Sequence, residues 1–167
     1  MGLHATVSLF AVLVAVFLAC VPVSVADETK GLCDGNQATS SCLKRNFRGV
    51  YQTNYKSFWK IIYSSEEKAL NCNSIPRTVE FLEFAREIKG NAEVGEYFSE
   101  TVERKFLSSN PQCFLDALIR ADEESQRIII GYLRTPIFSD KTTIRGVLSK
   151  YKDMDNYRAV LKSYFRD

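Results

Sequence analysis

From Phe47 to Phe165 the apolar residues recur at intervals of three and four, and no stretch alternates apolar with polar residues. A strand buries every second residue and a helix every third or fourth, so the pattern predicts an all-α fold. Phe47, Tyr51, Tyr55, Phe58 and Ile62 form one such stripe and predict a single long helix from Leu43 to Leu70, with most of its aromatics facing the core. Ser74 is an N-cap candidate, Pro76 suits a first turn, and Gly90 suits a C-cap. They bound a second helix whose core stripe is Val79, Phe81 or Leu82, and Ile88. A third helix is expected from Ala92 to Leu107, with Val94, Tyr97, Phe98, Val102 and Phe106 inward. After the break at Ser108-Ser109-Asn110-Pro111 a fourth helix runs from Gln112 to Arg120, and Asp122 caps a fifth that ends near Leu133. The Ile128-Ile129-Ile130 run predicts that this fifth helix is enclosed on all sides. Pro136 ends it, Ser139 or Asp140 starts a sixth, and Asp155 or Asn156 starts a seventh.

Residues 1–26 contain no Lys, Arg, Asp or Glu, and Val7 to Ala19 form an apolar run. Pro22 and Ser24 break that run, and Ser24 with Ala26 supplies small residues before Asp27-Glu28-Thr29-Lys30, so 1–26 reads as a cleaved export signal. Three rivals exist: an uncleaved anchor, a lipid on Cys20 after Leu18-Ala19, and myristoylation at Gly2 with Thr6. The domain plan is a signal at 1–26, an N-terminal arm at 27–42, and one all-α domain at 43–167. Cleavage leaves 141 of the 167 residues, enough for one hydrophobic core. No span of the membrane is expected after cleavage.

Cleavage or lipidation at Cys20 leaves Cys33, Cys42, Cys72 and Cys113. Four cysteines in an exported chain read as two disulfides, with three possible connectivities. The expected pairs are Cys33–Cys42, which brackets a polar loop of turn formers, and Cys72–Cys113, which ties the end of one helix to the start of another.

Short helices joined by short turns pack as antiparallel pairs. The seven or so helices are expected to pack as antiparallel hairpins, HEAT-like or as an irregular bundle; from Ser74 to Asp167 their order, with four paired to five and six to seven, resembles the helical hairpins of HEAT-type solenoids. Within it, Asn110-Pro111-Gln112-Cys113-Phe114-Leu115-Asp116-Ala117-Leu118 resembles small exported bacterial helical proteins of unknown function, a resemblance that implies no activity.

The single histidine, His4, is lost with the signal, which removes Ser-His-Asp and Cys-His catalysis and histidine metal ligands. Ser57-Phe58-Trp59-Lys60 and Ser149-Lys150-Tyr151-Lys152 match Ser-x-x-Lys, but no Ser-Asp-Asn or Lys-Thr-Gly follows. Asp153-Met154-Asp155-Asn156-Tyr157 starts like a calcium loop without its glycine and distal Glu, and reads as a capping loop. No phosphate loop is present, and no cofactor or metal is expected. An enzyme of this composition would work with carboxylates alone, as a hydrolase, with Asp116 and Asp122 as the residues to inspect.

Charge is segregated along the chain. Between Gly35 and Ser65 the charged residues are Lys44, Arg45, Arg48, Lys56 and Lys60; from Glu66 to Glu124 the balance is minus six, and from Ser125 onward plus five. Helical spacing places Glu80, Glu83 and Glu87 on one face of the second helix, and Glu93, Glu96, Glu100 and Glu103 on one face of the third. Merged, the two stripes form a candidate docking face for a cationic protein. Tyr51, Tyr55, Trp59 and Tyr63 among the cations raise nucleic acid or an anionic membrane, but a net charge of only +2 and the core stripe argue against both. The expectation is an exported, non-enzymatic, protein-binding module of the inhibitor or immunity kind, in the bacterial periplasm or secreted. An envelope-tethered structural protein is the further alternative.

Overall fold

The computed structural model describes residues 33–35 and 38–166, and the expected export signal at 1–26 lies outside them. Every regular element among the described residues is helical: α1 (Ser40–Thr53), α2 (Tyr55–Leu70), α3 (Ile75–Leu82), α4 (Phe84–Glu87), α5 (Ala92–Glu100), a π-helical segment (Thr101–Phe106) closed by α6 (Leu107–Ser109), α7 (Pro111–Leu118), α8 (Glu123–Arg134), α9 (Lys141–Ser149) and α10 (Asp155–Phe165). None is long and apolar enough to cross a membrane.

Asp122 caps its helix as expected, Asn91 and Asn110 cap two more, and Ser74 stands at the N-cap position of α3 without a side-chain capping bond. Asn91, Asn110 and Asp122 accept from the backbone N–H three residues on, at 3.1, 3.2 and 2.9 Å. Each satisfies a donor that the first helical turn leaves free. Pro76 and Pro111 sit in first turns, and Gly90 closes the α4 region at φ +87°, where a Cβ would be strained.

Four expectations change. The long first helix is two helices, because Asn54 (φ −141°, ψ 59°) leaves helical geometry and its side chain caps α2 through Ser57 N–H. The second helix breaks between Leu82 and Phe84, and the third passes into π geometry at Thr101. The fifth helix is not enclosed on all sides: Ile129 and Ile130 are buried, but Ile128 is only half-buried.

Packing follows the aromatics. Phe47 meets Phe58 edge-on at 5.0 Å, joining α1 to α2; Phe81 stacks on Phe98 at 5.4 Å, joining α3 to α5; Phe106 meets Phe114 at 5.7 Å. Phe58, Phe81, Phe84, Phe98, Phe106 and Phe114 are among the largest fully buried side chains. The chief neighbours of α3 are α2 and α7, whereas α8 packs on α4 and α10. The hairpins expected between helices four and five and between six and seven are therefore not the main packing units, and the fold is an irregular bundle.

Both expected disulfides are formed, Cys33–Cys42 with Cα atoms 5.6 Å apart and Cys72–Cys113 with Cα atoms 6.3 Å apart. The second joins the turn after α2 to the first turn of α7. Two such bridges belong to a chain folded in an oxidising environment.

Candidate interaction faces

The seven glutamates singled out for a docking face do not form one free acidic surface. Glu80 accepts the Ser41 hydroxyl at 2.8 Å, and Glu83 pairs with Lys44 of α1. Glu87 pairs with Arg86 at 3.0 Å and Glu100 with Arg104 at 3.2 Å. Glu93 accepts hydroxyl hydrogen bonds from Tyr51 and Tyr55, each at 2.5 Å. Those bonds hold its carboxyl below the ordinary range and push both phenols up. Glu96 alone of the seven is exposed without a hydrogen bond or ion pair.

Glu103 departs furthest from expectation. It is 3% exposed, and its carboxylate accepts from the Ser99 hydroxyl (2.6 Å) and from the backbone N–H groups of Phe138 (2.8 Å), Ser139 (2.9 Å) and Ile137 (3.3 Å). It organises the turn between α8 and α9 and is closed to a partner. The reason is the π segment, whose wider turn rotates residues after Glu100 away from the α-helical stripe. Glu66, also buried, is tied to Lys105 (2.5 Å), Thr101 (2.9 Å) and the Tyr97 hydroxyl.

What the surface presents instead is an aromatic row. Tyr51 meets Tyr55 at 5.6 Å between ring centroids, Tyr55 meets Trp59 at 6.2 Å, and Trp59 stacks on Tyr63 at 5.3 Å. Tyr97 of α5 touches both Trp59 (5.2 Å) and Tyr63 (5.5 Å). The core placement expected for these rings holds for Phe58 and Trp59 but not for Tyr55 and Tyr63, which are 49% and 52% exposed. Positions 55, 59 and 63 lie four apart on α2, so they share one face at the margin of the core, with buried Trp59 between two exposed tyrosines. Along this row runs an open groove of about 760 Å³, with Lys56 and Lys60 at its edge and Glu93 and Tyr97 across from them. Lys56 and Lys60 are exposed and make no ion pair or hydrogen bond. Arg48, equally free, borders the adjoining depression beside Tyr51. With Glu93 engaged by two phenols, the free charges that line the groove are Lys56 and Lys60.

On the other side of α5 lies a second cleft, of about 570 Å³, between α4, α5 and α8. Ala85, Ile88, Gly95, Ile128 and Tyr132 line it, and Lys89, Glu96, Arg127 and Ile137 surround its mouth. Ile137 is 66% exposed there. No motif announced this cleft; its one sequence trace is Ile128, the apolar position left over on α8.

The carboxylates and serines considered for catalysis are placed structurally. Asp116 accepts the Tyr157 hydroxyl at 2.6 Å. Asp122 caps α8; burial pushes its carboxyl up, but the Ser125 N–H and hydroxyl and the Arg86 guanidinium together hold it below the usual range. Neither lines the two clefts. Ser57 donates to Asp34 at 2.6 Å and Ser149 to the Gly146 carbonyl at 2.9 Å, so neither hydroxyl is directed at its Ser-x-x-Lys lysine. Asp155, in the calcium-loop-like segment, pairs with Arg158 at 2.7 Å. No group of His, Cys, Asp or Glu among the described residues forms a metal-binding cluster. Comparison with protein families, curated proteins and solved structures finds no match for the chain.

Proposed function

We propose that this chain is an exported, non-enzymatic module that binds another protein through the aromatic row of α1, α2 and α5. The observation that carries the reading is the exposure of Tyr55 and Tyr63 beside Trp59, with free Lys56 and Lys60 at the margin. Protein interfaces have this anatomy, with tyrosine and tryptophan concentrated at the centre and charge at the rim. The free charges that line the groove are cations, so the partner presents carboxylates around an apolar centre; this replaces the cationic partner that the glutamate stripes suggested. The two disulfides support action outside the cytoplasm, in a periplasm or an extracellular medium. Inhibitor-like or immunity-like capture of one protein falls within this reading.

The test is affinity capture from the native host with the oxidised protein and two variants. Tyr55→Ser with Tyr63→Ser removes two exposed rings, and hot-spot tyrosines typically contribute about 2 kcal/mol each, so retention should fall more than about 30-fold. Lys56→Glu with Lys60→Glu should slow association and reduce its salt dependence. A partner retained equally by wild type and both variants would show that the row is not the binding face.

A further inference from the structure

The cleft between α4, α5 and α8 is chemically unlike the aromatic row. Its floor and walls are aliphatic, from Ile88 and Ile128, and one wall is the Tyr132 ring. Gly95 lies on the cleft wall facing both: a Cβ there would make ordinary contact with Ile88 Cγ2 at 3.5 Å and with the Tyr132 hydroxyl oxygen at 3.7 Å. A longer side chain at 95 would therefore project into the space. A volume of about 570 Å³ lies within the range of roughly 300–1,000 Å³ common for small-molecule sites. An aliphatic cleft of that size takes an apolar chain or ring, and its mouth decides what else the ligand carries.

Lys89, exposed, has no ion pair or hydrogen bond, and Arg127 reaches only Glu124, at 3.8 Å and in solvent. Among the charged residues that line the cleft, Lys89 and Arg127 outnumber Glu96 by one. The Tyr132 hydroxyl forms no hydrogen bond, and burial raises its ionisation, which keeps it a neutral donor. A group with one negative charge and hydrogen-bond acceptors complements that set, whereas an ammonium group meets two cations. From this combination of aliphatic walls and lining cations, we infer that the cleft binds a small amphipathic monocarboxylate of the medium-chain fatty-acid type, its chain over Ile88 and Ile128 and its head between Lys89 and Arg127. The site lies across α5 from Tyr97 and works independently of the aromatic row.

Titration calorimetry with dodecanoate below its micellar concentration tests the inference. The expected result is saturable one-to-one binding to the wild-type protein, at least about tenfold tighter than dodecanol, since a charge-assisted contact contributes roughly 1.5–3 kcal/mol. Lys89→Gln with Arg127→Gln should bring the acid down to the affinity of the alcohol. Gly95→Leu should abolish binding of both, with its fold checked by an unchanged circular dichroism spectrum and melting temperature. Tyr55→Ser with Tyr63→Ser should bind dodecanoate like wild type, so failure of the protein-binding reading leaves this result unaffected. Dodecanol binding as tightly as the acid, binding that survives folded Gly95→Leu, or no binding to the wild type would each overturn the inference.

Discussion

Tyr157 shows how a single residue in this bundle links ionisation to stability. The side chain is 2% exposed and its hydroxyl donates to Asp116 at 2.6 Å. Burial, and then the neighbouring carboxylate, push the phenol up from 10.0 to about 12. The folded state thus favours the protonated phenol. That contribution to stability is complete below pH 10 and is lost as pH rises through about 12. In Tyr157→Phe the hydrogen bond is gone, so the variant should be less stable at neutral pH by about 1 kcal/mol. Denaturant titrations between pH 9 and 12 should then show wild type losing stability faster than the variant, the gap closing at the alkaline end. Parallel pH profiles would show that the buried phenol is not coupled to folding. Glu103 illustrates the opposite economy of charge. A buried carboxylate is costly unless donors surround it, and here one hydroxyl and three backbone N–H groups do so. It is a structural anchor for the 137–139 turn, and that turn carries Ile137 to the mouth of the aliphatic cleft.

Helix boundaries were legible where a side chain announces them and hidden where a backbone choice decides them. Asp122, Asp140, Pro76 and Gly90 all mark element ends as their chemistry predicts. Asn54 is the instructive exception, because the aromatic stripe runs through it unbroken from Tyr51 to Phe58. There the chain leaves helical geometry, since Asn54 finds partners on both sides: Ser57 N–H donates to its Oδ1 at 3.3 Å, and its amide donates to Asp34 at 2.7 Å. Asp34 lies in the arm held by Cys33–Cys42, so the partner that favours the break is distant in sequence. Asn54→Ala removes both bonds, and loss of an N-cap typically costs about 1 kcal/mol. Urea unfolding should register that loss. An unchanged midpoint would mean that packing of α1 on α2 fixes the break without the cap. The π segment has a similar origin: the Thr101 hydroxyl bonds back to the Tyr97 carbonyl at 3.0 Å and across to Glu66 at 2.9 Å. Neither contact is visible in a periodicity, and the resulting rotation is what took Glu103 out of the acidic stripe. The aromatic row was half legible for the same reason. Spacing identified the shared face of Tyr55, Trp59 and Tyr63, but whether its margin meets core or solvent depends on where α5 packs.

At the scale of the whole molecule, α5 separates two surfaces of different chemistry, with Tyr97 and Glu93 toward the aromatic row and Gly95 and Glu96 toward the aliphatic cleft. Its position depends on how the first half of the bundle is held to the second. Packing supplies part of that hold, through Phe81 against Phe98 and Phe106 against Phe114. The Cys72–Cys113 bridge supplies the covalent part, closing a loop of 41 residues that contains α3, α4, α5 and the π segment, whereas Cys33–Cys42 closes only 9. Chain-entropy arithmetic assigns about 4 kcal/mol to the long loop and about 2.6 kcal/mol to the short one, since the unfolded chain loses more freedom when a longer loop is closed. Replacing Cys72 and Cys113 with Ala should therefore lower the unfolding free energy more than replacing Cys33 and Cys42. Because α5 lies inside the long loop, the first pair should also expose amide hydrogens of α5 to exchange at lower free energy than those of α10. The comparison is made by urea unfolding and native-state hydrogen exchange on the two double variants. If the short bridge proves the more costly to remove, the arm anchored at Asp34 contributes more through native contacts than the long loop does through entropy, and the placement of α5 rests on its aromatic packing alone.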